Sequence, residues 1–208
     1  MKIYGHDLSG HSHRVRLLAS LLGLDVEFIS VDLLVGAHKQ PEFLAKNPFG
    51  QVPVLEDGDV VLADSNAIAV YLATKYDSTR SWLPSDPQRA AEVQVWLSKA
   101  ANELANGVAA ARLVTVFGAG LDHDATKEKG RALLELVDAE LSARSWLVGD
   151  APTLADVALY SYVAAAPEGG IDLRPFASVT AWLRRIEALP GFLAFPETET
   201  DAKQALAA

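Results

Sequence analysis

From residue 87 to about residue 189 the chain carries no strand pattern, whereas its first eighty residues alternate between strand-like and helix-like runs. This asymmetry limits the possible folds more than any other feature. Lys2-Ile3-Tyr4-Gly5 reads as a short strand, and Val15, Leu17, Leu18, Leu21 and Leu22 then recur at helical spacing up to Gly23, a helix stop. Residues 26–31 form a second strand pattern, and a short helix is expected over 41–46. Residues 52–56 and 60–63 flank Asp57-Gly58, a hairpin signal, and 65–76 place Ile68, Tyr71 and Leu72 on one helix face. Strand, helix, strand, helix, hairpin, helix implies a mixed sheet with helices packed on it. A turn-rich stretch with Pro84 and Pro87 follows, then alanine- and leucine-rich helical segments broken at Gly118-Ala119-Gly120, Val148-Gly149-Asp150 and Glu168-Gly169-Gly170. The expected organisation is an α/β domain over 1–77, a linker over 78–86 and an all-helical domain over 87–208. Its tail, from Pro196, is expected to fray.

Composition removes several function classes. A net charge of −9 leaves no electrostatic footprint for nucleic acid. The absence of cysteine rules out disulfides, thiolate metal sites and a protein-borne thiol nucleophile, and no metal is expected. No segment has a signal-peptide layout and no apolar run reaches membrane-spanning length, so the expectation is a cytoplasmic protein with no membrane partner.

The run Asn47-Pro48-Phe49-Gly50-Gln51-Val52-Pro53-Val54-Leu55 carries the strongest functional signal. An apolar strand that begins at a proline is unusual, because proline donates no backbone hydrogen bond. Such a proline is often cis, which would turn the Val52 backbone outward and leave its N–H and C=O for a ligand. An extended peptide adding itself as a strand would satisfy them. Downstream, Asp64-Ser65 opens a helix, where either residue caps the helix or receives an anion.

These motifs, with Tyr4-Gly5-His6-Asp7-Leu8-Ser9, His38-Lys39, Asn66-Ala67-Ile68 after Asp64-Ser65, and Thr153-Leu154-Ala155-Asp156, resemble a cytosolic glutathione transferase over nearly the whole chain. The likeness is to the serine type, theta- or phi-like and bacterial. It implies a thioredoxin-like N-terminal domain with a mixed four-stranded sheet, an all-α C-terminal domain, glutathione as co-substrate, a small electrophile and a homodimer. It also implies site roles. Val52 beside Pro53 would pair with the cysteinyl backbone, and Ser65 would hold the γ-glutamyl carboxylate. Asp64 would take the α-amine or Gln51 supply a neutral contact, and His38 and Lys39 would reach the glycine carboxylate. Ser9 would donate to the thiolate as the catalytic residue.

Alternatives stand beside that reading. Ser9 also suits a plain N-cap; Ser12 lies one turn on; Tyr4 is a second candidate donor; His11 and His13 read as surface histidines. The sequence departs from the resemblance in carrying Asp64 rather than glutamate, and His6-Asp7 rather than histidine-proline. Leu8 and His11 with Ala109, Arg112 and Val116 form a candidate electrophile pocket, against helix packing with a solvated Arg112. Asn102 and Asn106 share that helix. Thr153 and Asp156 form a capping-box signal and are expected to be structural. Conjugation of glutathione to an electrophile is the leading function, ahead of glutathione-dependent peroxide reduction and a glutathione-binding protein with little turnover.

Overall fold

The computed structural model describes residues 1–207. The chain divides into two compact units, Met1–Arg80 with Leu189–Pro196, and Ser81–Ala188 with Glu197–Ala208. The first boundary, after Arg80, falls within the stretch 78–86. The late return of 189–196 to the first unit carries no local signal.

In the first unit, strands β1 (Lys2–Gly5), β2 (Glu27–Ser30), β3 (Val54–Asp57) and β4 (Val60–Ala63) form one sheet in the order β2-β1-β3-β4. β2 runs parallel to β1, while β3 is antiparallel to both β1 and β4. A parallel neighbour requires a crossover, supplied by α1 (Gly10–Leu21); the antiparallel pair β3–β4 needs only a tight turn at Gly58, whose φ is 62°. β3 begins two residues later than the apolar pattern suggests, at Val54, because Pro53 has no N–H to give the ladder. The Val52–Pro53 bond is cis. Helix α2 (Pro41–Leu44) is shorter than expected, while α3 (Ser65–Tyr76) has the expected length.

The first turn of α1 lies directly against the end of β1. A Cβ on Gly5 would fall 2.7 Å from Ser12 Oγ and 2.8 Å from the Phe28 ring, so only glycine allows this approach. The chain at 189–196 packs along the same helix: Ser20 Oγ donates to Gly191 O at 2.6 Å, and His13 Nε2 lies 2.9 Å from Leu193 O.

The second unit is helical. α4 (Pro87–Lys99) passes through a π-helical stretch, Ala100–Ala109, into α5 (Ala110–Phe117), which ends at Gly118 in the left-handed conformation. α6 (His123–Ala143) crosses the π stretch at two glycines, where a Cβ on Gly107 would meet Gly130 N at 2.8 Å. α7 (Leu154–Ala164) starts at the expected capping box. The buried Asp156 accepts from Thr153 N, Leu147 N and the indole of the fully buried Trp182, which belongs to α8 (Ala177–Glu187). The tail does not fray as expected. Thr200 Oγ1 donates to Glu168 O at 2.8 Å, Thr198 N donates to Glu168 Oε1 at 3.0 Å, and α9 (Asp201–Ala207) follows. No helix among the described residues is long and apolar enough to cross a membrane.

Candidate functional site

Strand register brings the candidate residues of the first unit to one end of the sheet. Tyr4 on β1 faces Val54, which faces Ala63, and Gly5 faces Ser30. The C-terminal ends of β1, β2 and β4 and the N-terminal end of β3 therefore lie together. From them emerge, in turn, Ser9, the 31–39 segment, Asp64-Ser65 and Val52-Pro53. Loops beyond strand ends are where α/β sheets place ligands.

Ser9 is the N-cap of α1, and its Oγ accepts from Ser12 N at 3.3 Å. The turn before it is closed by Ser9 N donating to His6 O and Leu8 N donating to His6 Nδ1. The His6 ring thus braces the turn that leads into Ser9. Capping uses a lone pair of Ser9 Oγ, and its hydrogen has no acceptor among the described residues. A cap and a donor are therefore compatible roles for this one hydroxyl.

Val52 makes no backbone hydrogen bond among the described residues, through either N–H or C=O. The turn before it is held by Asn47, whose Nδ2 donates to Gln51 O at 2.8 Å and whose Oδ1 accepts from Phe49 N at 3.1 Å. Lys39 Nζ donates to Gly50 O at 2.7 Å, which ties the 37–39 turn to the same loop. His38 is half-buried with Nδ1 buried and unpartnered, and burial followed by the Lys39 charge lowers its pKa.

At the head of α3, Asp64 Oδ1 accepts from Asn66 N and Ala67 N, each at 2.9 Å. Its other oxygen has no partner among the described residues. Asp64 adopts φ 72°, ψ 123°, a sparsely populated conformation for a side-chain-bearing residue that costs about 1–3 kcal/mol. Ser65 is buried beside it, and Arg14 Nη1 donates to Ser65 Oγ at 2.7 Å.

Comparison with known proteins resolves the family. Residues 1–74 match the model for the glutathione S-transferase N-terminal domain, and 121–190 that for the C-terminal domain. The chain is 39% identical over 204 residues to Glutathione S-transferase 3 of Zea mays, covering 92% of this chain and 91% of that one. The chain belongs to the glutathione S-transferase family. A crystal structure of a glutathione S-transferase from Pseudomonas fluorescens aligns with a TM-score of 0.88 at 33% identity, covering 94% of this chain and 98% of that one. A glutathione transferase homologue from Drosophila mojavensis, solved with bound glutathione, aligns at 0.83 and 28% identity over 99% and 94% of the two chains.

Burial overturns the surface reading of His13 and the solvated reading of Arg112. Tyr4 OH donates to Glu56 Oε2 at 2.8 Å, and burial followed by that bond raises its pKa, so the phenol is committed to structure. His13 is buried beneath 189–196 rather than on the surface, and burial lowers its pKa to about 4. His11 is half-buried and turns its Nδ1 to Ser65 Oγ at 3.3 Å; burial and then Arg14 lower its pKa to about 3. Arg112 is neither solvated nor free to line a pocket, being held in a buried ion pair with Glu168. Ala109 is buried, while Leu8 and Val116 remain half-buried. Asn106 Nδ2 donates to Asn102 Oδ1 at 2.9 Å, and both are exposed.

Arg14, Asn47 and Asn66 organise the site without having been singled out as site residues. Arg14 had a signal: a charge directly beside Val15, Leu17 and Leu18 on a helix that must bury one face. No group of three or more metal-binding side chains occurs among the described residues.

Proposed function

We propose that the protein binds glutathione at this end of the sheet and transfers its thiolate to a small hydrophobic electrophile. The observation that carries the reading is the unpaired backbone of Val52, beside Pro53 and held by the Asn47 turn. A tripeptide laid antiparallel to it would satisfy both groups. Ser65, through its hydroxyl and its own N–H, would receive the γ-glutamyl carboxylate, favoured by the helix dipole. The unpartnered Asp64 oxygen or Gln51 would take the α-amine, and His38 and Lys39 the glycine carboxylate.

Ser9 would donate its free hydrogen to the glutathione sulfur. A thiol of pKa about 8.5 is only a few per cent thiolate at neutral pH. Lowering that by two units takes roughly 2.7 kcal/mol of preference for the anion. A hydrogen bond to a charged group supplies about 1.5–3 kcal/mol, and the head of α1 adds up to about 2. The thiolate then attacks the electrophilic carbon, forming a C–S bond as the leaving group departs with its electron pair. Holding both reactants supplies proximity. The reading includes a homodimer in the cytoplasm, and light scattering at twice the chain mass would support the dimer.

The test is the ultraviolet difference spectrum of bound glutathione across pH. Thiolate absorbance well below pH about 8.5 in the wild type, displaced upward in Ser9→Ala, is the expected result. Absence of glutathione binding would overturn the reading.

A further inference from the structure

A guanidinium lies buried behind Ser65. The Arg14 side chain is nearly sealed from water, and its Nη1 donates to Ser65 Oγ at 2.7 Å and to Asn66 Oδ1 at 2.9 Å. Burying a charge is expensive, yet Arg14 is buried on α1 among Val15, Leu17 and Leu18. The charge therefore needs a reason beyond packing.

The reason lies in the valence of the Ser65 hydroxyl, which has one hydrogen and two lone pairs. Arg14 occupies a lone pair, so the hydrogen is directed elsewhere. The one other partner of that hydroxyl is His11 Nδ1 at 3.3 Å, a long contact. Burial keeps the imidazole neutral, so Nδ1 can accept. A carboxylate is a better acceptor, since charge-assisted O–H···O bonds are shorter and about twice as strong as neutral ones. Accepting from a cation also polarises the hydroxyl and strengthens it as a donor.

We propose that Arg14 is a positioning residue for the γ-glutamyl α-carboxylate of glutathione: it orients and polarises the Ser65 hydroxyl so that its hydrogen goes to that carboxylate. His11 Nδ1 holds the hydrogen when the carboxylate is absent. Asn66 Oδ1 fixes the guanidinium from the side. Arg14 does not touch the ligand; its effect is selectivity for a carboxylate at this position. The inference rests on the glutathione reading above.

The test compares glutathione with 4-aminobutyryl-cysteinyl-glycine, the same tripeptide without the α-carboxylate. Calorimetric affinities are measured for wild type, Arg14→Gln, Ser65→Ala and the double variant. The wild type should prefer glutathione by about tenfold or more, the scale of one charge-assisted hydrogen bond. Arg14→Gln and Ser65→Ala should each lose most of that preference while binding the truncated peptide as the wild type does. The double variant should lose little beyond Ser65→Ala. If Arg14→Gln weakens both peptides equally, or neither, Arg14 is scaffold and the inference fails. Should Arg14→Gln not fold, Asn66→Ala carries the test: a reduced preference supports the proposal and an unchanged one overturns it. A wild type that binds neither peptide sinks the glutathione reading itself; one that binds glutathione while the variants keep its preference sinks only the role of Arg14.

Discussion

Arg112 Nε donates to Glu168 Oε2 at 2.6 Å, with side chains only 1% and 5% exposed. The pair joins α5 to the turn at Ala166–Gly169, and the carboxylate's other oxygen takes Thr198 N. One buried carboxylate thus neutralises a buried cation and anchors the C-terminal segment.

Glu168→Ala should lower unfolding free energy by about 3–5 kcal/mol, because it strands the guanidinium in the interior. Arg112→Met with Glu168→Leu should recover much of that loss, since no charge is left unpaired. Urea unfolding of the two variants beside the wild type checks this. Equal losses for the single and double variants would contradict it. Amide exchange in 197–207 should rise in both.

Asp156 accepts from two backbone N–H groups and the Trp182 indole, as well as Thr153 Oγ1 at 3.3 Å. Burial raises its pKa, against the pull of those donors. Asp156→Ala would leave several donors unsatisfied at about 1–3 kcal/mol each, partly relaxed by water. The expected outcome is a loss of several kcal/mol, read as a fall in thermal midpoint. A change under 1 kcal/mol would show that the donors find other partners.

Ser9→Ala should reduce kcat/KM roughly ten- to hundredfold through loss of one hydrogen bond to the thiolate, about 1.5–3 kcal/mol. Loss of the α1 cap should lower stability by only about 1 kcal/mol. Steady-state kinetics beside a denaturation curve separate the two roles. A stability loss with unchanged kcat/KM would leave Ser9 as a cap alone.

His13 should make stability fall in acid. Its folded pKa, near 4, lies below the ordinary 6.5, because burial disfavours the cation. The unfolded chain then binds the proton more readily. The contribution is complete above pH about 6.5 and disappears as pH falls through about 4, amounting to as much as about 3 kcal/mol. His13→Gln keeps an N–H for Leu193 O but cannot titrate in this range. The wild-type advantage over the variant should therefore shrink between pH 7 and 4, while a difference independent of pH would contradict the assignment.

The pair His13–Leu193 also shows where sequence reading stops. The two residues are 180 positions apart, and no local pattern marks 189–196 as the segment that covers α1. His13 read as a surface side chain for that reason. Arg112 was misplaced likewise, since its acid partner stands 56 residues away.

What sequence determined by itself was local. Gly58 in its hairpin, the Thr153–Asp156 capping box, the α3 boundaries and the proline before β3 all follow from backbone sterics and hydrogen-bond donors within a few residues. Those features sufficed to place Val52-Pro53 and Asp64-Ser65 at element ends. Only tertiary structure decided that these ends share one side of the sheet, that Arg14 stands behind Ser65, and that Arg112 answers Glu168. The reason is desolvation: whether a polar side chain faces water or a partner depends on which distant segments cover it.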